Sequence, residues 1–197
     1  VPFLSPVAIP KAVFVRHGET VANATGRYSS ATLNTFTEKG RSQVAALTAR
    51  LRAEGPFETI LVSPSERCLR TVAPYLRATG RKAIVWPLLY ECCVGRLPER
   101  GAPFAFGGKV TVPADIAGLF TVPAGARLPA PRGKAQEKGQ LDASLAEWRA
   151  RYASRPGRVL VVGHSGHGGK FLRALTGRWI QVKNATEIAI VPGTVGK

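Results

Sequence analysis

Apolar residues in this chain fall into two alternating patterns: short unbroken runs, and positions spaced three or four apart. Ala12-Val13-Phe14-Val15 is the first unbroken run and stops abruptly at Arg16-His17-Gly18. Such a run predicts a strand buried on both faces that delivers polar groups at its C-terminal end. From Thr37 to Leu51, Val44, Leu47 and Leu51 return at helical spacing, and Gly55-Pro56 supplies a stop, so a helix is predicted. Thr59-Ile60-Leu61-Val62 reads as a second buried strand. Ser63-Pro64 then reads as the cap and first residue of a helix running towards Gly80. Lys82 to Trp86 predicts a third strand leading into Leu88-Leu89-Tyr90-Glu91. The stretch from Cys92 to about Gln136 is rich in Pro and Gly without a sustained period, which predicts long loops with room for one short helix. A helix is expected between Gly139 and Ala153, where Leu141, Leu145 and Trp148 share a face. Arg158-Val159-Leu160-Val161-Val162 is the clearest strand and stops at Gly163-His164-Ser165-Gly166. A helix from about Gly168 to Leu175 and a strand from Glu187 to Val191 complete a βαβα order, which implies a mainly parallel sheet.

With 197 residues, 45% of them hydrophobic, the chain is long enough for one substantial core, and a single domain over 1–197 is expected. No apolar run approaches the ~20 residues of a membrane-spanning helix, so a soluble protein is expected. The start Val1-Pro2-Phe3-Leu4 and the absence of methionine suggest a processed or trimmed chain, cytoplasmic or exported; the compartment stays open. Lys and Arg number 28 against 12 Asp and Glu, a formal +16 that concentrates anions at the surface. The anion is a phosphate ester, a nucleic acid or an acidic membrane on charge alone. The basic residues are scattered rather than gathered into a block, which counts against nucleic acid. Cys68, Cys92 and Cys93 fit no disulfide framework and no zinc spacing, so a reduced state is expected. Asn23-Ala24-Thr25 and Asn184-Ala185-Thr186 match the glycosylation acceptor pattern, a short pattern that arises by chance.

Two predicted strands end in Arg16-His17-Gly18 and Gly163-His164-Ser165, and a third ends at Ser63, four residues before Arg67. Parallel strands bring their C-terminal ends to one edge, where open α/β sheets bind ligands. Side by side, these ends would gather Arg16, Arg67 and both histidines around a hollow suited to a dianionic phosphoryl group.

The residues that follow carry a resemblance. Arg16-His17-Gly18-Glu19-Thr20, with Asn23 and Gly26-Arg27-Tyr28, resembles the signature of the histidine phosphatase superfamily in its phosphoglycerate-mutase-like branch. It continues through Thr37-Glu38-Lys39-Gly40 with Gln43, Ser63-Pro64 with Arg67 and Thr71, Leu89 with Glu91 and Gly95, and Val162-Gly163-His164. The other branch follows Arg-His-Gly with Arg and Pro and has Asp after the second His, where this chain has Glu19-Thr20-Val21 and Ser165. The resemblance implies a three-layer α/β/α sandwich around a mostly parallel sheet, phosphoglycerate-mutase-like, with a loop-rich lid or insertion at about 92–136. Phe36, Arg70 and Ser165 depart from the usual Leu, Gln and Gly, and residues 96–132 match no member, which leaves the substrate open.

By this resemblance the chain is a metal-independent phosphomonoester hydrolase that works without a cofactor through a phosphohistidine on His17. Attack on phosphorus needs a neutral imidazole, and the cations Arg16 and Arg67 disfavour protonated His17. Similarity assigns the holding of the phosphoryl oxygens to Arg16, Arg67 and His164, with Asn23 as a neutral donor and Ser165 in the binding set. Glu91 matches the position of the general acid and base. The glycines after His164 are expected to form a tight turn whose amides face the phosphate. The expected substrate is a small phosphorylated metabolite, inorganic phosphate is the product, and a homodimer is left open. A phosphomutase is the first rival, disfavoured because such mutases are longer chains. A non-catalytic anion- or nucleic-acid-binding protein is the second. A serine hydrolase reading of Ser165 fails, because His167 stands where the nucleophile elbow needs Gly.

Overall fold

Residues 11–91, 107–129 and 134–191 are described in the computed structural model. The elements in chain order are β1 (Ala12–Arg16), α1 (Val21–Thr25), α2 (Ser30–Leu33), α3 (Glu38–Ala53), β2 (Thr59–Val62), α4 (Glu66–Thr79) and β3 (Ala83–Val85). Two 3-10 turns follow, Pro87–Leu89 and Ala117–Leu119, then β4 (Phe120–Thr121) and α5 (Lys134–Glu147), which runs into a π-turn over Trp148–Tyr152. Finally come β5 (Val159–Gly163), α6 (Gly166–Thr176) and β6 (Glu187–Ala189).

The strands form one sheet in the order β4-β3-β2-β5-β1-β6. All neighbours are parallel except β6, which lies antiparallel on β1. Side chains alternate across a strand. Val13, Val15, Ile60, Val62, Leu160 and Val162 therefore pack on one face with Leu47 and Leu51 of α3 and Leu69, Val72 and Leu76 of α4. Phe14, Leu61, Val159 and Val161 pack on the other with Leu145 of α5, Trp148, and Phe171 and Leu172 of α6. Both faces are covered, so the architecture is an α/β/α sandwich, and the central strands read as unbroken apolar runs for that reason. Truncating a residue such as Leu160, which is fully buried, costs about 2–5 kcal/mol.

The sheet positions the site through β1 and β5. They are paired in register from Ala12↔Val159 to Arg16↔Gly163, so His17 and His164 leave the same edge side by side. Helix α3, the long helix of the β1–β2 connection, lies on one face and α6, which follows β5, on the other. Connections that diverge from adjacent strands open the crevice in which α/β folds bind ligands.

Some element boundaries differ from the sequence expectation. Helix α4 starts at Glu66 with Ser65 as its N-cap, and not at Ser63-Pro64. Helix α5 starts five residues earlier than the apolar stripe suggested, α6 starts at Gly166, and β6 stops at Ala189. Within the stretch expected as a lid, 92–106 and 130–133 lie outside the described residues. Residues 107–129 are built into the sandwich: Phe120–Thr121 adds a strand beside β3, and Val110, Ile116 and Phe120 reach the core. No helix among the described residues is long and apolar enough to cross a membrane.

Candidate active site

The loop after β1 is fixed from three sides. Gly18 N–H donates to Thr71 Oγ1 of α4 at 3.0 Å, and Thr71 donates in turn to Arg67 O. Glu19 N–H donates to Gln43 Oε1 at 2.9 Å, while the Glu19 carboxylate accepts from Thr37 Oγ1 and Lys39 Nζ, both at 2.9 Å. Gly40 allows the first turn of α3 to sit directly on the Glu19 backbone, where a Cβ would collide with the Glu19 carbonyl. Thr37, Lys39, Gly40, Gln43 and Thr71 are thus the supports of the loop that carries His17.

His17 is 3% exposed. Its Nδ1–H donates to the neighbouring Gly18 carbonyl at 2.8 Å, which leaves the lone pair on Nε2. Burial, then Arg67 and Arg16, hold its pKa well below the ordinary histidine value against the raising effect of the Gly18 bond. The ring is therefore neutral at neutral pH, as a nitrogen nucleophile must be.

The His164 ring centroid lies 5.4 Å from that of His17, edge to face. Arg67 Nη2 lies 3.2 Å from His164 Nδ1. Guanidinium has no acceptor, so Nδ1 accepts, Nε2 carries the hydrogen, and that hydrogen is donated to Ser63 Oγ at 2.7 Å. Burial, then Arg67, keep His164 neutral, with its pKa well below the ordinary value. Ser63 is therefore a partner of the second histidine. Ser65, which caps α4 in its place, makes no side-chain cap bond. In this state neither ring nitrogen of His164 is left to donate to a ligand.

Arg16 leaves β1 with Nη1 on the Val182 carbonyl at 3.2 Å and Nε buried without a partner. Neither Arg16 nor Arg67 forms an ion pair among the described residues. Glu91 faces the N-terminus of α6, where its Oε2 accepts the His167 N–H at 2.5 Å. Burial raises its pKa above the usual carboxylate value, and the His167 bond, Arg67 and Arg16 oppose that rise without cancelling it. The α6 amide at His167 therefore serves the carboxyl group. Ser165, at the start of α6, caps nothing with its hydroxyl. Asn23 Oδ1 accepts from Thr20 N–H at 3.2 Å in a capping box at the start of α1.

Three polar residues in or around the site carried no signal for this role in the sequence. Ser63 looked like a cap. Gln140, buried on α5, donates from Nε2 to the carbonyls of Leu88 and Tyr90 at 2.9 and 2.6 Å and so fixes the segment that presents Glu91. Asn184 donates to the His17 carbonyl at 2.9 Å. Asn184 stands in a stretch without apolar period, Gln140 stands beside an apolar helix stripe to which it adds nothing, and nothing local marks the partners of either. Cys68 lies 3.5 Å from His164 Nε2, but burial pushes its thiol up to about 12, so it is not an ionised nucleophile. Cys92 and Cys93 lie outside the described residues. Among the described residues no group of three or more His, Cys, Asp or Glu is placed to hold a metal ion.

Comparisons with known proteins point the same way. The adenosylcobalamin/alpha-ribazole phosphatase of Salmonella typhimurium is 38% identical over 81 residues, 41% of this chain and 40% of that protein. The match therefore spans about two fifths of the relative's length. The structure of the alpha-ribazole phosphatase from Shigella flexneri superimposes with a TM-score of 0.60 at 20% identity, covering 89% of this chain and 87% of that one. The mycobacterial glucosyl-3-phosphoglycerate phosphatase gives 0.56 at 23% identity, covering 90% and 88%. These two likenesses are likenesses of fold. The family model of the histidine phosphatase superfamily (branch 1) matches residues 12–190, nearly the whole chain, and to that superfamily the chain belongs.

Proposed function

We propose that the protein hydrolyses phosphomonoesters through a phosphohistidine on His17. One observation carries this reading: a buried, neutral His17 with its Nδ1 engaged and its Nε2 lone pair available, beside two arginines without an ion-pair partner among the described residues. A phosphoryl dianion would complete what the two guanidinium groups lack.

In the proposed cycle, Nε2 attacks phosphorus in line with the leaving oxygen. The P–O bond breaks as protonated Glu91, whose pKa burial raises, gives its proton to the departing alkoxide. Water then attacks the phosphohistidine, its proton passes to the Glu91 carboxylate, the P–N bond breaks, and inorganic phosphate leaves. Arg16 and Arg67 hold the equatorial oxygens, with Asn23 and the Ser165 hydroxyl as neutral donors. For His164 to join them, Nδ1 must give up Arg67 and gain a proton while Nε2–H stays on Ser63; a bound dianion favours that uptake by opposing the charge of Arg67.

The substrate class is a small phosphorylated metabolite. Alpha-ribazole phosphate, suggested by the names of the Salmonella and Shigella proteins, belongs at the head of the panel to screen. The test is phosphate release by wild type and His17→Ala across that panel. Expected are turnover of at least one ester by wild type and a loss of at least about 1,000-fold in the variant with an unchanged melting temperature. Activity retained in His17→Ala overturns the nucleophile, and isomerised product without phosphate release overturns hydrolysis.

A further inference from the structure

We propose that Asn184 is a positioning residue that, anchored on the His17 carbonyl, sets the amide orientation of Asn23 for phosphoryl binding; this rests on the reading of the site given under the proposed function. Asn184 bridges to Arg16 just ahead of β6. Its Nδ2 donates one hydrogen to His17 O at 2.9 Å and the other to Asn23 Oδ1 at 3.3 Å. An amide nitrogen has two hydrogens, so its donors are fully used. A flipped Asn184 would set its oxygen against the His17 carbonyl, so the orientation is forced.

The same logic fixes Asn23. Its Oδ1 accepts from Thr20 N–H and from Asn184, and a flip would set donor against donor at both contacts. The Asn23 Nδ2 group is then the end left over, with no acceptor among the described residues. A phosphoryl oxygen is the acceptor that suits it. Asn184 thereby turns an ambiguous amide into a committed donor.

The backbone at this point carries strain of the kind that marks a built position. Ala185 has φ +49°, the only positive value at a non-glycine residue among those described. It is held there from both sides: its N–H donates to Arg16 O at 3.0 Å, and its carbonyl accepts from Arg50 Nη2 at 2.8 Å. Left-handed conformation at a residue with a Cβ is unfavourable and persists where the surroundings over-determine it. With Ala185 so turned, its N–H meets Arg16 O while the Asn184 side chain meets the next carbonyl, that of His17. Consecutive residues of one segment are thus bonded to consecutive residues of the loop that carries the nucleophile.

The experiment is a double-mutant cycle on p-nitrophenyl phosphate hydrolysis, with inorganic phosphate binding by calorimetry as a readout independent of turnover. Asn23→Ala and Asn184→Ala are each expected to lose about tenfold or more in kcat/KM and to weaken phosphate binding, and the double variant should be no worse than Asn23→Ala by more than about threefold. The isosteric Asn184→Asp offers no N–H and should lose more than Asn184→Ala, because Asn23 then turns its oxygen to the phosphate. Losses that multiply in the double variant, or Asn184→Ala with wild-type kcat/KM and phosphate affinity, overturn the proposal. Should Asn184→Ala and Asn184→Asp fail to fold, hydrogen exchange of the Asn184 side-chain amide in the wild type decides: slow exchange supports the proposal and exchange as fast as a surface amide overturns it. A wild type that binds phosphate but hydrolyses no ester refutes the hydrolase reading while the phosphate-binding comparison still tests Asn184.

Discussion

Arginine does opposite things at the two ends of β5. At its start, Arg158 lays Nη2 on the Glu54 carboxylate at 2.7 Å and Nη1 on the Glu54 carbonyl at 2.9 Å, and stacks over Phe57 at 4.2 Å. Past its other end, among the described residues, the Arg67 side chain meets only the His164 ring and the Glu91 carbonyl, and Arg16, leaving neighbouring β1, keeps a buried Nε without a partner. At the first end, the Arg158 charge has its complement on the chain. At the second end, positive charge is held in place with no ion-pair partner among the described residues. Such an arrangement costs stability and is kept where an anion is the missing partner. The contrast also separates fold from function: the supports of the loop after β1 are paired hydrogen bonds, while the groups they support are left unsatisfied.

The sharpest way to break this contrast is to remove cation from the unsatisfied end. Arg67→Ala is expected to lower kcat/KM by about 100- to 1,000-fold, since it deletes a preorganised donor to the phosphoryl oxygens. It also removes a charge that lowers the His17 pKa, so the acid limb of the rate profile should move to higher pH. A pH–rate series on wild type and variant checks both; an unmoved acid limb would mean that Arg67 does not face His17.

Glu91 comes next. The competent form needs His17 neutral and Glu91 protonated, with a His17 pKa below the usual 6.5 and a Glu91 pKa above the usual 4.5. Activity should therefore be bell-shaped with an acidic optimum, falling at low pH as His17 takes a proton and at high pH as Glu91 loses one. Glu91→Gln should cost about 100-fold or more on alkyl phosphates and much less on p-nitrophenyl phosphate, whose leaving group needs no proton. Equal losses on both esters would count against the acid role.

The paired and unpaired regions were not equally legible in the sequence. Strands β1, β2 and β5 are covered on both faces, so each reads as an apolar run. The two residues of β4 and the four- and five-residue helices α2 and α1 are too short for any period to show. Helix α5 begins with Lys134-Ala135-Gln136-Glu137, polar residues that blur its start. The chemistry-bearing residues stood out because Arg16-His17 and His164 sit at strand ends. Asn184, Gln140 and the true partner of Ser63 did not, because each acts on a residue 50 or more positions away. Pairings at that distance are set by topology, and local pattern does not carry them. The order β2-β5-β1-β6 puts Ser63 beside His164 and Asn184, just ahead of β6, beside His17, and only the assembled sheet contains that order.

A smaller effect concerns stability. The α6 residue His167 is half-buried, with its Nε2 buried and unpartnered among the described residues, and burial, then Lys170, lower its pKa to about 4. Between pH 6.5 and about 4 the unfolded chain binds a proton at this position that the folded chain refuses, so stability falls as pH drops through that window. His17 and His164 add slopes of the same sign, and Glu91, whose pKa is raised, opposes them above 4.5. His167→Gln should flatten the decline of melting temperature across the window, and an unchanged slope would remove His167 from the account.

The smallest effect expected is at the paired end. Arg158→Ala takes away a partly exposed ion pair, worth about 0.2–1 kcal/mol, and a stacking contact with Phe57 of similar size. The melting temperature should fall by a few degrees while kcat/KM on p-nitrophenyl phosphate stays as in wild type. The salt dependence should differ as well, since added salt weakens an exposed ion pair and leaves the buried cations of the other edge much less screened. A loss of turnover in Arg158→Ala comparable to that of Arg67→Ala would mean that the two ends of β5 are mechanically coupled, and the division between paired scaffold and unpaired site would have to be abandoned.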